Sequence, residues 1–126
     1  MRYLSVEEVL ALHDYQIERF GGKHGLLNLP LLESAMNRPA TNISGADMYK
    51  TLHEKAAVLA YSIIKNHPFV DGNKRTGLYA ALTFLELNDV QINIPQKKLS
   101  MLGLDVANNV VGHKEIASVF KKYSVR

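Results

Sequence analysis

The chain contains no cysteine and no tryptophan, which rules out a disulfide framework and a thiolate metal site. No apolar run comes near the roughly 18 residues that a membrane-spanning helix needs. The opening stretch carries Glu7 and Glu8 and has no continuous apolar segment of the roughly 7–15 residues that mark a secretory leader. A cytoplasmic protein without a membrane segment is therefore expected. Charge of one sign is also scarce: 15 basic residues against 12 acidic ones leave a formal charge of +3. The densest basic clusters are Lys97-Lys98 and Lys121-Lys122, and each reads as a solvated helix face. A surplus this small speaks to solubility and steering, so direct nucleic-acid binding is not expected. Repeats, low-complexity tracts and long linkers are missing too. One domain spanning residues 1–126, with 47% hydrophobic residues to build its core, is the expectation.

What remains is helical almost throughout. Ser5 and Glu8 form a capping-box signature, with Leu4 and Val9 as the staple. Val6, Val9, Leu10, His13, Ile17 and Phe20 then share one helix face. Gly21-Gly22 stops that helix. Pro30 suits a first helical turn, and Pro39 ends the short helix it opens. Residues 39–46 read as a loop, with Asp47 as the cap of the next helix. From Leu52 to Ile64 the chain is apolar nearly all round, as in the buried centre of a bundle. A second core helix carries Leu78, Ala81, Leu82 and Leu85, and two more are expected near 96–109 and 113–123. Residues 90–95 fit a short strand or an extended link. The fold class is all-α, a compact bundle.

Several short patterns carry no chemistry. His53-Glu54-Lys55-Ala56-Ala57 starts like the zinc motif H-E-x-x-H but ends in alanine. Gly21-Gly22-Lys23 lacks the rest of a P-loop and follows a helix. His13 lies on an apolar face, where a core histidine is the ordinary reading; it could also stand behind a site.

The segment from His67 to Arg75, His-Pro-Phe-Val-Asp-Gly-Asn-Lys-Arg, is different. Between the two core helices it gathers the parts that move a phosphate-containing group. His67 is the candidate base, because imidazole exchanges protons near neutral pH. Asp71 offers the hard oxygen that Mg²⁺ prefers. Gly72 and Asn73 can turn backbone N–H groups toward an anion at the start of a helix. Lys74 and Arg75 supply compensating charge. Pro68 is expected to stiffen the loop and Phe69 to anchor it.

This segment resembles the Fic/Doc signature H-x-F-x-[DE]-G-N-x-R at every fixed position. The chain length, the Leu-His-Asp run at 12–14 and the Gly-Gly at 21–22 are similar to the short death-on-curing (Doc) branch. The resemblance implies a Fic-type helical bundle with the motif loop between two central helices. Longer Fic enzymes carry Gly where this chain has Lys74 and a second Arg where it has Leu78. Asn-Lys-Arg instead matches the Doc toxins, which transfer the γ-phosphate of ATP. The same resemblance implies a Ser/Thr kinase that uses ATP and Mg²⁺, with elongation factor Tu as target and translation as the blocked process. AMP transfer, or a catalytically inactive Fic-like binding domain, are the alternatives. No Ser or Thr here has Glu four residues later, so the family's inhibitory pattern [ST]-x-x-x-E-[GN] is not present. A separate cognate antitoxin is then the implied partner, and residues 39–50 are the expected target-docking flap.

Overall fold

Ser5 caps the first helix as its sequence demands. Its hydroxyl accepts the Glu8 N–H at 3.1 Å, while the Glu8 carboxylate accepts the Ser5 N–H at 2.9 Å. The computed structural model describes residues 1–125, and α1 runs from Val6 to Phe20. Val9, His13, Gln16 and Ile17 form its buried face. Phe20 departs from the expected stripe: it is half exposed and takes the Arg75 guanidinium on its ring. Gly21 ends the helix with a φ of 88°, as expected of a glycine stop.

Asn28 caps α2 (Leu29–Asn37), whose first turn holds Pro30. Leu32, Ala35 and Met36 are buried. The stretch read as a loop has more order than its composition suggests. A 3₁₀ turn covers Arg38–Ala40, followed by a minimal hairpin of β1 (Asn42–Ile43) and β2 (Ala46–Asp47). Ser44 and Gly45 both have positive φ, the backbone form that a two-residue hairpin turn requires. Asp47 is not a helix cap. Its carboxylate accepts from the buried Lys55 ammonium at 3.1 Å, which also donates to the Pro39 carbonyl at 3.3 Å. The cap is Thr51, in a reciprocal box with Glu54. A buried lysine needs a partner more than the helix needs this particular cap.

The centre of the molecule is a helix pair, α3 (Leu52–Asn66) and α4 (Asn73–Leu87), which share its most extensive packed face. They approach closely at Gly77. A Cβ there would stand 2.9 Å from the Ile64 side chain and 3.0 Å from the Ala60 carbonyl oxygen. Around this pair pack α1, α2, α5 (Gln96–Ala107) and α6 (His113–Lys122). Residues 90–95 resolve into β3 (Gln91–Ile92), which pairs antiparallel with β4 (Ser124–Val125). A two-residue pairing partner is too short to leave a periodic signal in sequence. The core joins Val9, Leu32, Ile63, Phe69, Phe84, Leu85, Val106, Ile116 and Phe120. None of the described helices is long and apolar enough to cross a membrane.

Candidate active site

The loop between α3 and α4 begins with a forced conformation. His67 closes α3 by donating its N–H to the Ile63 carbonyl at 3.1 Å, and its backbone is left-handed, with φ 50° and ψ 55°. That form costs a non-glycine residue about 1–2 kcal/mol, so surrounding contacts must impose it. They do. Pro68 and Phe69 are buried, and the Pro68 carbonyl accepts N–H bonds from Leu27 at 2.7 Å and Asn28 at 3.2 Å. Val70 donates its N–H to the Gly25 carbonyl at 2.9 Å. The segment from Gly25 to Asn28 thus straps the loop from outside, and His67 is left as an exposed imidazole beyond it.

Asn73 closes the loop from inside. Its side chain accepts the Phe69 N–H at 3.0 Å and donates to the Phe69 carbonyl at 2.9 Å. Both ends of this buried amide are engaged in holding the loop. Gly72 precedes α4 with a φ of 77°, and no side chain caps that helix. The N–H groups of Asn73, Lys74 and Arg75 belong to its first turn and lack intrahelical acceptors. Together with the positive end of the helix dipole they form an anion cradle.

Asp71 stands at the edge of this cradle. Its Oδ2 accepts the Lys23 N–H at 3.1 Å, its Oδ1 accepts the Gly72 N–H at 2.9 Å, and its carbonyl oxygen accepts from His13 Nε2 at 2.8 Å. The Lys23 N–H, and then the Gly72 N–H, hold its carboxyl below the usual carboxylate range. It is therefore an anion throughout the physiological range. One carboxylate beside an anion cradle fits Mg²⁺, which typically binds one or two carboxylates and takes its other oxygens from phosphate and water. No group of three His, Asp or Glu that could cage a metal exists among the described residues.

A cavity of about 260 Å³ opens from the cradle along α4 toward α5. Asp71, Gly72, Asn73, Lys74 and Arg75 line one end, and Tyr79, Gln96, Ser100 and Gly103 line the other. The structure thus brings together five of the six site residues expected from sequence, while His67 is not among the lining residues. Lys74 is exposed. Arg75 is half-buried, with its guanidinium carbon 4.4 Å from the centre of the Phe20 ring. Leu78 is only 2% exposed and packs against Gly103, where a Cβ would meet it at 3.0 Å. Leu78 also lines the cavity, at the position where longer Fic enzymes carry a second arginine.

Sequence reasoning missed two contributions to this site. Gly22 and Lys23 were legible only as a helix stop, yet a Cβ on Gly22 would lie 2.8 Å from Asp71 Oδ2. The α5 wall left no signal beyond an ordinary amphipathic pattern.

A helical fold with its motif loop pinned between the two central helices defines the class: residues 3–85 match the Fic/DOC family model, and the chain belongs to that family. Among its relatives, the protein named Toxin Doc from Mycolicibacterium smegmatis is 43% identical over 90 residues, covering 71% of this chain and 67% of that one. The Protein kinase doc of Escherichia phage P1 is 31% identical over 122 residues, covering 97% and 95% respectively.

Proposed function

We propose that this chain is the toxin of a toxin–antitoxin module and acts as a protein-modifying transferase. The finer reading is phosphoryl transfer from ATP to a Ser or Thr hydroxyl of a translation factor, with elongation factor Tu as the expected target. The carrying observation is the uncapped first turn of α4 with Lys74 and Arg75 beside it and the ionised Asp71 at its edge. Relatives named as a Doc toxin and a Doc protein kinase support it.

In this reading the N–H groups of Asn73, Lys74 and Arg75 bind phosphate oxygens, and the two cations offset charge that builds up during transfer. Asp71 would hold Mg²⁺, which supplies charge neutralisation and alignment of the phosphates when bound. His67, held at the exposed end of α3, removes the proton of the attacking hydroxyl. Burial of Pro68, Phe69 and Asn73 anchors the loop and keeps these groups in register. Tight anchoring matters because misplacement by about 1 Å can cost on the order of a hundredfold in rate. A separate antitoxin chain is the expected partner, and the cytoplasm the expected compartment. The exposed hairpin β1–β2 is the candidate docking flap for the target.

The test is incubation of the purified protein with elongation factor Tu and ATP labelled at either the γ or the α position. Label from γ alone is expected. Label from α would assign AMP transfer instead, and no label at either position would leave a binding role.

A further inference from the structure

His13 is buried in α1, yet its one hydrogen bond within the described residues reaches 58 positions along the chain to the motif loop. Its ring lies flat on Phe69, with centroids 3.8 Å apart and planes 6° from parallel. A carbonyl oxygen only accepts, so the 2.8 Å contact from Nε2 to the Asp71 carbonyl places the proton on Nε2. Phenylalanine could supply the stacking; it could not supply that donor.

The acceptor gives the bond its meaning. The Asp71 carbonyl and the Gly72 N–H are two ends of one planar peptide unit. Holding the oxygen therefore orients the N–H, and that N–H bonds Asp71 Oδ1 at 2.9 Å. On its other side the carboxylate receives the Lys23 N–H at 3.1 Å, in a turn where a Cβ on Gly22 would stand 2.8 Å from Oδ2. Asp71 is thus gripped at three atoms, two of them by α1 and the turn after it.

We propose that His13 is a positioning residue: through the Asp71–Gly72 peptide it sets the direction of the Asp71 carboxylate toward the phosphate cradle. Its effect on metal and nucleotide rests on the function proposed above; its effect on geometry does not.

Two variants separate donor from ring. His13→Phe keeps the stack and removes the N–H, whereas His13→Gln keeps an N–H donor and loses the ring. Hydrogen exchange at the Lys23 amide reads the geometry alone. It is expected to accelerate about tenfold in His13→Phe, the worth of one net hydrogen bond, and to stay near the unsubstituted rate in His13→Gln. Calorimetric titration of Mg²⁺ in the presence of ATP reads the consequence: half-saturation should rise about tenfold in His13→Phe and recover in His13→Gln. At saturating Mg²⁺ the turnover of His13→Phe should return to that of the unsubstituted chain. Equal Lys23 exchange in the two variants overturns the proposal, as does an unshifted Mg²⁺ titration in His13→Phe. If the unsubstituted chain binds no Mg²⁺-dependent nucleotide, the functional reading fails and the exchange comparison alone decides the role of His13.

Discussion

At the scale of single residues, the motif divides into groups left exposed and groups that hold the loop. His67 belongs to the first set. It is exposed, and its left-handed backbone is imposed by the buried Pro68-Phe69 pair behind it. His67→Ala should reduce transfer by about 10²–10⁴-fold, the usual worth of a positioned base. Its melting temperature should not fall, because the strained position loses no core contact; a large drop in stability would reassign His67 to a structural role. Asp71 faces the cradle with an ionised carboxylate. Asp71→Asn keeps the shape but removes the charge, so nucleotide binding should lose its Mg²⁺ dependence, which titration with and without the metal checks directly. Asn73 belongs to the second set. Its amide spans Phe69 with two hydrogen bonds in a buried setting. Asn73→Ala should destabilise the fold by about 2–6 kcal/mol, since two buried backbone groups lose partners at about 1–3 kcal/mol each; chemical denaturation measures it.

At the scale of elements, the decisive contact is the close approach of α3 and α4. Gly77 allows it, with Ile64 and the Ala60 backbone already at contact distance. A methyl group there has nowhere to go on the backbone side. Although alanine favours helix, Gly77→Ala should destabilise by about 1–3 kcal/mol through overpacking. It should also reduce activity, because the loop hangs from both helices. A thermal melt and a transfer assay on the same variant would show the two losses together. The Gly21-Gly22 turn after α1 is the other element-level device. Its role as helix stop was readable, since Gly21 has the positive φ that such stops use. Its role as a cradle for Asp71 was not, because that depends on a partner 48 residues away.

At the scale of the whole molecule, pH acts through histidines in opposite directions. Burial first, and then the nearby Lys121, lowers the proton affinity of His53. Burial and the Arg38 and Lys114 charges do the same for His113, which sits edge-on to Tyr49 and Tyr61. For such groups the unfolded chain binds the proton first. Their stabilising effect is complete above the ordinary histidine value of 6.5 and is lost as pH falls from there through the folded value. His24 is opposite: the Glu18 hydrogen bond, and then Asp14, raise its proton affinity. Its contribution is complete below 6.5 and is lost as pH rises through its folded value. The melting temperature should therefore fall more steeply between pH 7 and pH 5 (on the order of two pH units around the histidine range) in His24→Gln than in the unsubstituted chain. Equal slopes would show that the exposed His24 pairs contribute nothing.

The sequence by itself determined the helices, the cap at Ser5 and the stop at Gly21, the central pair and the motif loop between them. These are local matters: periodicity, capping chemistry and turn residues act within a few positions of each other. It also determined which residue types could handle a phosphate, and those positions lie within the stretch that matches the family. Only the tertiary structure decided that Asp47 serves the buried Lys55 rather than a helix end, whereas the Thr51–Glu54 box that caps α3 is as local as the one at Ser5. Only it paired β3 with β4 across two intervening helices, and only it showed that the Asn73 side chain is spent on the loop. Above all, it brought His13 and Lys23 to Asp71 and closed α5 over the cradle. Such contacts carry no periodic trace in the chain, since they depend on which atoms meet once distant helices have packed.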